Sequence, residues 1–161
     1  MTQVLDFIRF PFKKKINEKM LFKKKKFLFK KDKQIKKINY LIYNFDYLKK
    51  TNLPIDKDLY FSSILPLTVL NQNYLKKCIN IMKEKKIRNI CLHPYLQNID
   101  NKKINFLCKK RNVKLFKNFN FIIATAIGTK KIYKINPLEV AFRVSETFKN
   151  SKIVLSHFGG F

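Results

Sequence analysis

Apolar and polar positions along this chain alternate between two kinds of segment. Short, nearly continuous apolar runs recur at Val4–Ile8, Ile38–Phe45, Leu59–Leu65, Ile87–Leu92, Phe119–Ala126 and Lys152–Ser156. Runs of this length, rich in isoleucine, phenylalanine and tyrosine and closed by turn residues such as Pro11, Pro66, Pro94 and Gly128, read as buried strands. Between them lie segments with a helical period. From Tyr74 to Lys86 the apolar residues Leu75, Cys78, Ile79 and Met82 fall at i, i+3, i+4 and i+7, one stripe facing a core. Asp100 is placed to cap a helix from Asn101 to Lys110, with Ile104, Leu107 and Cys108 inward. Asn136-Pro137-Leu138-Glu139 is a helix start, with Leu138, Ala141, Phe142 and Ser145 expected on the inner stripe. Asp46 to Lys50 predicts a short helix.

The strands start near residues 4, 38, 59, 87, 119 and 152, so successive starts lie about 21 to 34 residues apart, the size of a βα unit. Continuously apolar strands separated by helices imply a parallel sheet covered on its outer face. The expected fold class is therefore α/β, a partial TIM-like (β/α) barrel of about six parallel βα units out of the usual eight. Residues 1–161 are expected to form a single incomplete barrel domain, with a lysine-rich helix or arm at 13–37 inside it. The first strand is followed by no glycine-rich phosphate loop, which argues against a dinucleotide-binding fold.

Composition changes the picture in one respect. The 161 residues carry 36 lysines and arginines against 10 aspartates and glutamates, a formal net charge of +26. A field of that size attracts nucleic acid or an anionic membrane. Arginine occurs only at Arg9, Arg88, Arg111 and Arg143, and every other basic residue is lysine. Arginine is the usual fork for phosphate and base edges, and an AT-rich genome also over-uses lysine, so part of this charge reads as codon bias. The run Lys23 to Lys26 is interleaved with Phe22, Phe27 and Phe29, which offers an interfacial or nucleic-acid contact; a plain solvated face is the simpler alternative. Cys78, Cys91 and Cys108 are odd in number and widely spaced, which fits reduced thiols and a cytoplasmic location better than a disulfide frame or zinc knot. No secretory signal opens the chain and no transmembrane segment is expected.

Three segments resemble, in order, the amidohydrolase-related metal-dependent hydrolases. Val4-Leu5-Asp6-Phe7-Ile8-Arg9-Phe10-Pro11 is similar to the opening strand that carries a His-x-His pair in that superfamily. Ile90-Cys91-Leu92-His93-Pro94 with Gln97 downstream resembles its mid-barrel Lys-Leu-His-Pro segment. Ile153-Val154-Leu155-Ser156-His157-Phe158-Gly159-Gly160 is similar to its Ala-His-x-Gly-Gly strand end. The resemblance implies a barrel hydrolase, and it names Asp6, His93 and His157 as candidate catalytic residues; Gly159 and Gly160 offer a backbone cradle for an anionic ligand, with a tight strand-to-helix turn as the simpler reading.

The departures bear directly on the chemistry. Ile8 and Phe10 stand where the His-x-His ligands belong, Cys91 replaces the mid-barrel lysine, and the fifth strand shows Ala124 or a neighbour where another histidine is usual. His157 is the only surviving candidate metal ligand, and a hydrolytic zinc needs three. No resident cofactor is therefore expected, with zinc only if a partner supplies ligands. Cys91, His93 and His157 make up a further soft-metal set, in which Cys91 and His93 lie two apart on one strand face. A hydrogen-bonding role in the barrel mouth is the simpler reading for His157, a strand-end histidine in a turn is the simpler one for His93, and a cap or ion pair is the simpler one for Asp6.

Because six units leave sheet edges open, the expectation is a truncated reading frame, one part of a split barrel completed by a second polypeptide, or a homodimer. The expected function is an amidohydrolase-related barrel protein without its intact metal site; the alternative is a basic module that binds nucleic acid or another polyanion.

Overall fold

A computed structural model describes residues 3–9, 18–33, 35–125 and 133–156, with side chains for residues 19, 21–33, 37–125 and 133–156. The chain divides into two compact units, Met1–Ser63 and Ile64–Phe161.

In the first unit, β1 (Gln3–Arg9) and β2 (Ile35–Ile42) pair in parallel, and β2 pairs in parallel with β3 (Leu59–Ile64). Helix α1 (Glu18–Lys31) connects β1 to β2, and α2 (Phe45–Lys50) connects β2 to β3. The second apolar run, expected to be strand as far as Phe45, stops at Ile42. Asn44 ends it: its side chain accepts the Tyr47 N–H at 3.0 Å and caps α2, which turns Phe45 into the first helical residue. One core cluster joins Leu21 of α1 to Ile38, Tyr40 and Leu59 of the sheet, with Leu28, Phe29 and Phe61 packed against it. Tyr40 lies beside Phe61 in register, and their rings stack at 6.0 Å. The Tyr40 hydroxyl donates to the Leu21 carbonyl at 3.2 Å, so the buried phenol has a partner.

In the second unit, β4 (Asn89–Leu92), β5 (Asn120–Ala124) and β6 (Ile153–Ser156) pair in parallel, in that order. Helix α3 (Gln72–Glu84) leads into β4 and buries Leu75, Cys78, Ile79 and Met82, the stripe expected from its period. It closes in a Schellman motif. The Ile87 N–H donates to the Met82 carbonyl, the Lys86 N–H donates to the Lys83 carbonyl, and Lys86 adopts φ 57°. Glycine usually fills that position. This chain has three glycines in all, and lysine or asparagine takes the left-handed region at Lys86, Asn98 and Asn118.

Asp100 caps α4 (Asn101–Leu107), as expected, by accepting the Lys103 N–H at 2.8 Å. The helix expected to run to Lys110 breaks there. A separate turn, α5 (Lys110–Val113), and a 3₁₀ turn, Lys114–Phe116, carry the chain to β5. Asn136 and Pro137 start α6 (Pro137–Thr147).

The inner stripe expected for α6 is corrected. Leu138, Phe142 and Ser145 are exposed, Phe142 at 65%; Ala141 is buried as expected, and its buried companions are Val140 and Val144. Phe148 at its C-cap fixes the rotation: its ring lies 4.7 Å from Phe121 and 5.3 Å from Phe116. Two overlapping stripes were available, and the buried one accompanies the contact of Phe148 with Phe116 and Phe121.

Candidate functional site

The carboxyl end of β4 carries the one histidine among the described residues. His93 follows Leu92, is 9% exposed, and begins a turn through Pro94 to Ile99. Its main-chain N–H donates to Oε1 of Gln97, whose Nε2 donates to the Leu65 carbonyl at 2.6 Å. The Gln97 N–H returns to the His93 carbonyl at 2.9 Å, and the Ile99 N–H to the Pro94 carbonyl at 2.8 Å. Lys103 Nζ donates to the Gln97 and Asn98 carbonyls at 2.8 and 3.0 Å.

Within this turn Nδ1 of His93 accepts the Leu96 N–H at 3.3 Å. In the neutral ring that bond assigns the proton to Nε2. A ligating histidine usually has the opposite arrangement, with Nδ1–H donating and the Nε2 lone pair on the metal. The imidazole here is arranged to organise a turn.

The alternation of the strands sorts their residues into two faces. Phe121 packs on Phe116 and Phe148, so that face of β5 is covered by the helical layer. Cys91, Ile122 and Val154 are register neighbours on the other face, and their exposure rises across the row from 1% to 5% to 45%. Past the row, toward the carboxyl ends, Ala124 lies beside Ser156. The hydroxyls at this end are committed to backbone: Thr125 Oγ1 donates to the Ser156 carbonyl at 2.6 Å, and Ser156 Oγ donates to the Ile123 carbonyl at 3.4 Å. Both hydroxyls act as structural donors. Among the described residues, no group of three or more His, Cys, Asp or Glu side chains could hold a metal ion.

The other sequence candidates are placed only in part. Asp6 lies on β1, between Leu5 and Ile8, where the register with β2 shifts, and its side chain is outside the described residues. Phe10, His157, Gly159 and Gly160 are also outside them.

A second constellation lies on α1. Leu21 is fully buried, and Leu28 and Phe29 pack on the core. Lys25 also turns inward. Its Nζ lies 2.7 and 2.8 Å from the two Asp56 carboxylate oxygens and 2.9 Å from Asp58 Oδ2. Burial alone would pull the Lys25 ammonium down, and the bonds from Asp56 and Asp58 outweigh it, so its pKa is raised. Burial likewise pushes the Asp56 carboxyl up; the Lys25 bond and the Asp58 N–H outweigh it and hold the group below the usual carboxylate range.

With α1 fixed this way, Lys19, Lys23, Lys26 and Lys30 are exposed on its outer face. At 3.6 residues per turn these four fall within about 60° of one another around the axis. Phe22 and Phe27, 41% and 63% exposed, stand on either side of them. The sequence pointed to the run 23–26. The structure removes Lys24 and Lys25 from it and adds Lys19 and Lys30, a set that helical spacing counted outward from Leu21 would have found.

No helix among the described residues is long and apolar enough to cross a membrane. No family model, curated protein or solved structure matches the chain.

Proposed function

We propose that this protein is a polyanion-binding α/β protein whose working surface is the outer face of α1, and that it performs no metal-dependent hydrolysis of its own. The observation that carries this reading is the ridge formed by Lys19, Lys23, Lys26 and Lys30, on a helix held by the Lys25 clasp and by Leu21 in the core. A net charge of +26 raises the local concentration of any anionic polymer, and the ridge gives that attraction a place to act. The turn around His93 supports the second half of the reading, because Nδ1 is already engaged and Cys91 is buried.

The test is fluorescence anisotropy with a labelled nucleic acid across a salt series. Each phosphate contact adds about 0.7–0.9 to the slope of log K against log salt. Replacing the four ridge lysines with glutamine should lower the slope by about 3. A slope unchanged by that replacement, or no binding by the wild type, contradicts the proposal.

A second reading is favoured by Val154. A strand with apolar residues on both faces, half exposed at the end of its row, suits one part of an amidohydrolase-related barrel that a complementing polypeptide or a second copy would cover. Any zinc would then need ligands from that partner. Purified protein holding stoichiometric zinc by itself would exclude this reading along with the metal-free half of the first.

A further inference from the structure

Resting on the polyanion reading, we infer that the outer face of α1 takes single-stranded nucleic acid, with phosphates along the lysine ridge and bases stacked on Phe22 and Phe27. Three observations select this ligand. The first is geometry. Successive ridge lysines are separated by about 6, 4.5 and 6 Å along the axis at the α-helical rise, so the ridge is a continuous line of cations rather than a point. A linear polyanion follows such a line.

The second observation is the two rings. Phe27 is 63% and Phe22 41% exposed, on a helix whose other aromatic, Phe29, packs on the core. They stand about 140° apart around the axis, on the two shoulders of the ridge. A strand that lays its backbone between them can turn unpaired bases to either side, and an exposed ring face is a stacking platform for any base. A duplex keeps its bases stacked on each other and gains nothing from the rings. A bilayer is flat and meets the most outward residues first. Those are lysines, and the helix face that would insert, with Leu21 and Leu28, is already in the core.

The third observation is rigidity. Lys25 bridges to Asp56 and Asp58, and Leu21 accepts the Tyr40 hydroxyl, so the rotation of α1 is set before a ligand arrives. The lysine-rich composition fits a site that reads backbone and ring faces, because base-edge recognition is the task that favours arginine.

The experiment measures three probes against the full chain: a labelled single-stranded oligonucleotide, the same sequence as a duplex, and vesicles containing phosphatidylserine. Phe22→Ala/Phe27→Ala should weaken single-strand binding about tenfold or more, by the usual value of base–aromatic stacking, and leave duplex binding within about twofold. Lys23→Gln/Lys26→Gln/Lys30→Gln should weaken both. Both variants change exposed positions, and circular dichroism verifies that they fold. Equal affinity of the phenylalanine variant and wild type for single strands overturns this inference and leaves the polyanion reading standing. Loss of vesicle binding with single-strand binding intact overturns it in favour of a membrane surface. A wild type that binds none of the three probes overturns both.

Discussion

Lys25→Met tests the device that sets which face of α1 meets solvent. Lys25 sits on the same helix as six other lysines, and the structure singles it out. Its side chain is 18% exposed, and those of Asp56 and Asp58 are 16% and 24% exposed. Two charge-assisted bonds of this kind contribute about 1.5–3 kcal/mol each when fully shielded and under 1 kcal/mol in the open. Intermediate shielding places each near 1 kcal/mol, so the substitution should cost about 2 kcal/mol. Part of that cost is two carboxylates left facing each other, and adding Asp56→Asn and Asp58→Asn should recover about half.

The matched control is Lys26→Met, one residue on and exposed, expected within about 0.5 kcal/mol of wild type. The assay is urea unfolding followed by circular dichroism, since the chain has no tryptophan. The pH dependence has a definite sign. Asp56 is lowered in the folded state, so its contribution is present above the unfolded value of about 3.9 and is lost as pH falls through the folded value. Lys25 is raised, so its contribution is full below about 10.4 and is lost as pH rises through the folded value. Equal effects of Lys25→Met and Lys26→Met at neutral pH would refute the reasoning.

Tyr40, whose phenol burial pushes up to about 12 against the pull of Lys25, should give a step near that pH in an ultraviolet pH titration; Tyr40→Phe should remove that step, and wild-type stability should fall as pH rises from about 10 toward 12. Lys86→Gly should stabilise the protein by about 0.5–1 kcal/mol in the same urea assay, because glycine carries no Cβ penalty in the left-handed region while the Schellman bonds stay in place. Gln97→Leu should cost about 2 kcal/mol, since it leaves the His93 N–H and the Leu65 carbonyl without the side chain that serves both.

Much of the fold was legible because its signals are local and redundant. Each of the six apolar runs formed a strand. The caps at Asp100 and Asn136 and the stripe of α3 depend on spacing within one turn or two of helix. The misses arose where two local signals overlapped. Asn44 was a cap hidden at the end of an apolar run, and α6 held two stripes that only the contact of Phe148 with Phe116 and Phe121 distinguishes. The site was less legible. Sequence order pointed to His93, and nothing in that order says whether its ring nitrogen faces a metal or the Leu96 N–H. The lysine run was visible, and its inward member was not. Choosing Lys25 required Asp56 and Asp58, which lie 31 and 33 residues further along the chain.

Lysine footprinting most directly separates a built binding ridge from a charge spread over the whole surface. The protein is labelled with an amine-reactive reagent, with and without a saturating single-stranded oligonucleotide, and protection is read at each lysine by mass spectrometry. Strong protection is expected at Lys23, Lys26 and Lys30, and little at Lys76, Lys77 and Lys83 on α3. Even protection along the whole chain, or protection concentrated on α3, would contradict a built ridge.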